Sequence, residues 1–289
     1  MKISHKRDLS SALTNDGDLS LFFIGAGSAF AKTLNQNNVL VVKGQQHLLV
    51  DCGTRCSQAL HAYQLPISHI RNFVITHSHA DHIGGLEEVQ LYARYTGKSK
   101  PNMIINEEYQ AILWEQSLRG GSEMSEAVPL TFTDLWHCIR PVKIASQDRE
   151  TWETSLGTMN IKLPRTMHYP DSATSWRDAF WSCGVILDDR VLFTSDTRFD
   201  PSMICELDAL YNFEVIFHDC QLFTGGVHAS LDELGTLPAA IKAKTILMHY
   251  GDNWRDFQQT GLDAGFHSWA EDGFEYVFPG KPPNSFGDV

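Results

Sequence analysis

The sequence predicts an α/β protein whose pattern is compatible with two sheets packed face to face under a cover of helices, and three observations predict it. Strand-like and helix-like segments alternate twice over along the chain. At Thr76–Gly85, THSHADHIGG, a dense set of imidazole and carboxylate groups follows directly on a short apolar run. The 289 residues are 43% hydrophobic, enough to bury a large core within a single domain spanning 1–289.

In the first half, Leu19–Ile24, Asn38–Val42 and His47–Asp51 read as strands and Thr54–Tyr63 as a helix. Asn72–Thr76 reads as a short buried strand, and Gly84, Gly85 and Leu86 followed by Glu87 and Glu88 open a helix that runs to about Tyr95. The second half offers strands at Met159–Leu163, Cys183–Leu187, Val191–Ser195, Val215–His218 and Thr245–His249. Ser230–Lys242 is helical around an interruption at Pro238. Between the halves, Asn106–Trp152 is the least regular stretch. Its aromatics Tyr109, Trp114, Phe132 and Trp136, with the Gly120-Gly121 break, fit a helix and an inserted segment that serves as core, lid or dimer surface.

His77, His79, Asp81 and His82 crowd onto one turn at the carboxyl end of a strand. Buried unpaired, four such groups are costly, whereas a pair of divalent ions uses every one of them. His77 and His79 alternate along the chain and can converge on one ion. Asp81 and His82 begin the turn into the helix and point toward a second. A single histidine here would be an ordinary solvated loop residue, and a single aspartate an ordinary helix cap. The density of the cluster points instead to a metal-dependent hydrolase.

His77-Ser78-His79-Ala80-Asp81-His82 followed by Ile83-Gly84-Gly85 resembles the signature of the metallo-β-lactamase superfamily. Leu48–Gly53 resembles the strand ending in Asp and Gly that precedes the signature, and Met167-His168 the third histidine. Phe193–Thr197 resembles the strand that carries the bridging aspartate, and Ile246–Tyr250 the last histidine. The resemblance runs from about Leu21 to His249 and implies an αββα sandwich. It also implies that His77, His79 and His168 hold one ion, that Asp81, His82 and His249 hold the other, and that Asp196 bridges them. Zinc is the first expectation for so many histidines, with manganese also suited to the carboxylates. Two ions would lower the pKa of a shared water toward neutrality and polarise the phosphoryl oxygens under attack. Asp81 is counted with the catalytic residues as well as the ligands. Asp51 is either a hydrogen-bond partner of a ligating imidazole or a turn residue before Gly53.

Within the superfamily the chain looks similar to the transfer-RNA 3′-processing nuclease branch and its phosphodiesterase relatives. Gly25–Ala29 with Asn37-Asn38 resembles the branch's amino-terminal loop, His218-Asp219 its His-Glu pair, and His228-Ala229-Ser230 its His-x-Thr element. Asp219 and Ser230 depart from that pattern. His228, oriented by Asp219, becomes the expected general acid, although it could simply begin a helix at the surface. The nuclease's long Gly/Pro-rich arm has no room between His168 and Asp196, where Tyr169–Ser195 accommodates only a loop and a hairpin. Tyr169, Trp176 and Trp181 in that loop either stack a nucleobase or pack the shortened segment.

Lys and Arg number 23 against 35 Asp and Glu, a formal net charge of −12 that disfavours a phosphate-backbone platform. The expected substrate is therefore a small phosphodiester such as a cyclic nucleotide. The alternatives are a transfer-RNA 3′-end nuclease without its arm, and a non-enzymatic sensor holding metal and ligand. The acid pair argues against a pure binder, which has no use for one. Met1–Ser10 lacks an apolar core for export, no run spans a bilayer, and the six cysteines show no Cys-x-x-Cys spacing. A cytoplasmic homodimer without membrane contact is expected.

Overall fold

A computed structural model describes residues 1–280. Its strands form two sheets of eight. In spatial order the first comprises Lys2–His5, Phe274–Phe278, Leu19–Phe23, Val39–Lys43, Gln46–Val50, Asn72–Val74, Asn102–Ile104 and His137–Ile139. Pairing is antiparallel up to Gln46–Val50 and parallel beyond it. The second comprises Ser268–Trp269, Thr245–Met248, Val215–Asp219, Val191–Phe193, Val185–Leu187, Met159–Pro164, Thr151–Leu156 and Val142–Lys143. Here the parallel pairs come first and the antiparallel ones follow.

Strand alternation decides where the core sits. Leu21, Phe23, Val39, Val41, Leu48 and Val50 share a buried cluster with Ile161, Val185, Phe193 and Phe217 of the second sheet. Phe23 meets Phe217 across the interface at 4.9 Å between ring centroids. The intervening residues Phe22, Leu40, Val42 and Leu49 point the other way and pack with Leu60, Leu86, Leu113 and Trp136 beneath the outer helices. Both faces of the first sheet are thus covered, and the αββα layering follows.

The expected elements stand close to their observed ends; the helix expected to run to about Tyr95 is α-helical over Leu86–Tyr92 and widens to a π-turn over Ala93–Gly97, and two further differences stand out. Asn72–Thr76 is strand only to Val74, because Thr76 leaves the ladder to bond Asp51. Ser230–Lys242 divides into Leu231–Gly235 and Ala239–Lys242, since Pro238 at the second N-cap cannot donate to a continuous ladder. In the irregular middle segment, Asn106 caps the helix Glu107–Leu113 by accepting the Tyr109 N–H at 2.8 Å. Tyr109, Trp114, Phe132 and Trp136 are all buried, so these aromatics are core. The cysteines are free thiols, most of them packed in the interior. Among the described residues no helix is long and apolar enough to cross a membrane.

Candidate metal centre

The carboxyl ends of strands from both sheets open onto one edge of the sandwich, where ligands bind in layered α/β proteins. Asp51 and His77 follow Gln46–Val50 and Asn72–Val74; His168, Asp196, Asp219 and His249 end or follow strands of the second sheet. Asp51, Ser195 and His249 each turn sharply off a strand with positive φ (63°, 53° and 60°). Such a backbone is costly for residues other than glycine and is retained where the surroundings enforce it. A buried chain of hydrogen bonds does so here. Ser195 Oγ donates to Thr76 Oγ1 at 2.7 Å, and Thr76 donates through its N–H and its hydroxyl to Asp51, both at 2.8 Å.

All seven expected ligands converge. His77 Nε2 lies 3.0 Å from His79 Nδ1, which lies 3.2 Å from His168 Nε2. Asp196 Oδ2 faces this trio at 3.7 Å from His77 and 3.9 Å from His168. The same oxygen stands 3.3 Å from both His82 Nε2 and His249 Nε2, while Asp81 Oδ2 is 3.2 Å and 3.5 Å from those two nitrogens. One carboxylate oxygen therefore looks into two adjoining groups able to hold metal ions.

Unmet polar atoms test the fit. His82 Nε2 and Asp196 Oδ1 are buried with no hydrogen-bond partner, an arrangement that costs free energy unless a cation takes up the lone pairs. Burial pushes His77 well below the ordinary imidazole range and His168 down to about 4, so their nitrogens are neutral donors. Burial acts on His82 and His249 too, but Asp196 and the other carboxylates around them outweigh it and hold both well above that range, so a metal ion binding at their Nε2 atoms would displace protons. The donor set of imidazoles and carboxylates suits a divalent transition metal.

Asp51 and Asp219 stand behind the ligands. Asp51 Oδ2 is 2.7 Å from His82 Nδ1, the hydrogen-bonding role open to it from the sequence. Asp219 Oδ1 is 3.1 Å from His249 Nδ1, and its Oδ2 is 2.7 Å from His228 Nδ1. One aspartate therefore joins a ligand to the expected acid. Burial opposes charge on His228, yet Asp219 prevails and raises its pKa. His228 Nδ1 also lies 4.0 Å from Asp196, but the closer bond to Asp219 assigns it to the dyad. Ser230 serves where Thr is usual because it closes a capping box with Glu233.

Asn38 has a larger part than its place in a loop motif indicates. Fully buried, it donates to the Asp81 carbonyl at 3.0 Å and accepts the Gly53 N–H at 2.9 Å. Gly53 is required there, because a Cβ would lie 2.0 Å from the Asp81 carbonyl oxygen. Ser78 pairs with Tyr109 at 3.1 Å, a link between distant segments that no local signal announces. Of the loop aromatics, Trp181 is buried and stacked on Tyr109 at 5.4 Å, and Trp176 lies under Arg177 at 4.3 Å. Those two pack the loop. Tyr169, like Trp181, lines a cleft of about 310 Å³ with His77, His79, His168 and Phe180.

Comparison with known proteins identifies the family and the fold. The family described as Anti-Pycsar protein Apyc1 matches residues 19–276. Relatives of that name share 39% identity over 243 residues in Bacillus phage BSP38, covering 81% of this chain and 90% of the relative. In Bacillus phage 010DV004 the figures are 36% over 268 residues, with 90% and 98% covered. Among solved structures, the metallo-β-lactamase fold protein YhfI from Bacillus subtilis superposes at a TM-score of 0.66 with 17% identity, over 90% of this chain and 99% of that one. A diphosphatase from the PhnP family gives 0.66 at 18% identity, over 90% and 98%. The short form of human tRNase Z gives 0.60 at 16%, over 90% and 99%. The fold is the metallo-β-lactamase fold.

Proposed function

The chain belongs to the Anti-Pycsar protein Apyc1 family, and from that premise we propose that it is a metal-dependent phosphodiesterase acting on a small phosphodiester such as a cyclic nucleotide. The observation that carries the reading is the position of Asp196 Oδ2 between two ligand groups, beside an acid dyad of His228 and Asp219. His77, His79 and His168 would hold one divalent ion, Asp81, His82 and His249 a second, and Asp196 would be shared. Zinc is favoured over manganese by the count of imidazoles.

Ions bound there supply a nucleophilic water near neutral pH and a Lewis acid for the phosphoryl oxygens. The chain's own residues do the rest. Asp219 accepts from His228 Nδ1, fixing the ring so that Nε2 is the nitrogen available to the substrate. Asp219 favours the protonated form of His228, and in this role the ring delivers that proton to the departing alkoxide. Asp219 also holds His249, so acid and ligand keep a fixed spacing. Asp51 orients His82 in the same manner, and Asn38 fixes the backbone of Asp81.

The enzyme acts in this reading as one domain and as a cytoplasmic homodimer. The net charge of −12 supports a small substrate over an RNA. The test is purified protein reconstituted with zinc or manganese against bis(p-nitrophenyl) phosphate, cyclic nucleotides and precursor transfer RNA at one salt concentration. Two ions per chain and a higher kcat/KM for a cyclic nucleotide than for the RNA are expected. A preference for the RNA would make the chain a transfer-RNA nuclease without the arm; ligand binding with no turnover would make it a sensor.

A further inference from the structure

We propose that the nucleoside attached to the leaving oxygen lies in the cleft beside His228, with Phe30 and Phe223 as its aromatic walls. The proposal rests on the phosphodiesterase reading and names the side of the centre on which the substrate's organic part sits.

Two clefts flank the metal centre. One is the Tyr169 cleft described above. The other, about 280 Å³, is lined by Phe30, Phe223, Gln221 and Asn253, with His228 and His249 at its metal end. In-line displacement places the leaving oxygen opposite the attacking water and next to the acid that protonates it. His228 lines only the second of these clefts, so the leaving alcohol and the nucleoside bearing it lie there.

The aromatic groups distinguish the clefts in the same direction. Phe30 is 86% exposed and Phe223 is 68% exposed, and among the described residues neither ring pairs with another. In the first cleft each ring already has one face taken: Tyr169 stacks on Phe180 at 5.4 Å with 19° between planes, and Trp181 on Tyr109. A free aromatic face is what a nucleobase needs.

The Phe30 wall is also supported differently from an ordinary exposed loop. Asp252 accepts the N–H groups of Lys32, Thr33 and Leu34 at 2.7, 3.0 and 3.3 Å, and Arg55 donates to the carbonyls of Ala31 and Leu34 at 3.1 and 3.0 Å. Phe30 thus stands on an anchored turn, and a wall fixed before binding spares the substrate the cost of ordering it. Phe223 leads into Gly225 and Gly226, whose φ values of +83° and +96° form a turn that other residues rarely adopt.

Adenosine 3′,5′-cyclic monophosphate serves as the kinetic probe, with Phe30→Ala, Phe223→Ala, the double variant and Phe180→Ala in the other cleft. All three rings are exposed, so their loss leaves the core intact. Removing both walls is expected to raise KM about ten-fold or more with kcat within about two-fold, because stacking binds substrate and transition state alike. Phe180→Ala is expected to stay within about two-fold of wild type in KM. A larger KM effect from Phe180→Ala than from the double variant, or no effect from either, overturns the proposal. Saturation-transfer NMR with adenosine 5′-monophosphate gives a readout independent of turnover: the base signals should vanish in the double variant and persist in Phe180→Ala. If wild type cleaves no diester but this NMR pattern holds, the phosphodiesterase reading fails and the base site stands. Turnover with base signals unchanged in the double variant overturns the base site and leaves the phosphodiesterase reading intact.

Discussion

The trio His77, His79 and His168 and the group Asp81, His82 and His249 differ in what stands behind them. Behind the trio are neutral oxygens: His77 Nδ1 faces Thr76 Oγ1 at 3.2 Å, and His168 Nδ1 faces the Val227 carbonyl at 2.8 Å. Behind His82 and His249 are the buried carboxylates of Asp51 and Asp219. Burial leaves the trio poorly basic, while Asp196, reinforced by Asp81 and Asp51 around His82 and by Asp219 around His249, holds those two imidazoles well above the ordinary range. The same side chain is thus tuned in opposite directions a few ångströms apart. A carboxylate behind an imidazole fixes its tautomer and strengthens it as a ligand. The acid-backed half also carries the dyad, which makes it the half where proton delivery is organised.

Replacing the shared group should have the largest effect. Asp196→Ala is expected to abolish turnover of bis(p-nitrophenyl) phosphate and to lower the metal content of both halves while the circular dichroism spectrum persists. Elemental analysis finding one ion bound as in wild type would assign the carboxylate to a single half. Next comes the dyad. His228→Ala should slow a cyclic nucleotide by about 10²–10⁴-fold but a nitrophenyl ester far less, because nitrophenolate departs without a proton. Equal losses on the two substrates would move His228 from proton delivery to binding.

Asp51→Asn sharpens the contrast between the halves. It should weaken one ion about 10–100-fold, the effect of losing a carboxylate behind a ligating histidine, and leave the other nearly unchanged. Competition with a chelator would resolve the two, and equal weakening would erase the distinction. The smallest effect concerns the loop beneath His249, whose N–H bonds the Ala26 carbonyl at 2.8 Å; the Ala26 N–H in turn bonds Asp272 at 2.8 Å. Burial pushes the Asp272 carboxyl above the usual carboxylate range, up to about 6. A carboxyl with a raised folded-state pKa binds protons more tightly in the native state. Wild type should therefore lose stability relative to Asp272→Asn as pH rises through about 4 to 6, by at most about 3 kcal/mol. A difference in thermal midpoint that stays constant across that window would refute the assignment.

Much of the centre was legible because its chemistry is local. His77, His79, Asp81 and His82 share one turn, and strand-end residues such as Asp196 and His249 sit in apolar runs that mark the strand before them. The convergence of these segments was not local, and neither was Asn38, whose two bonds depend on how Gly53 and Asp81 meet. Asn102–Ile104, Val142–Lys143 and Ser268–Trp269 are too short to show a period. Lys2–His5 is exposed throughout and is a strand only because Phe274–Phe278 pairs with it from the far end of the chain. The helix Pro201–Tyr211 did leave a signal: Asp200 caps it, Pro201 begins it and Asn212 ends it in the left-handed region.

The hydrogen bond from Ser195 to Thr76 spans 119 residues of sequence, and the approach of His249 to Asp81 spans 168. Neither half of the polypeptide can assemble this pocket by itself. If the two groups hold metal as proposed, their joint loading during biosynthesis would wait until the sandwich has closed and would serve as a clock for the last docking step of folding.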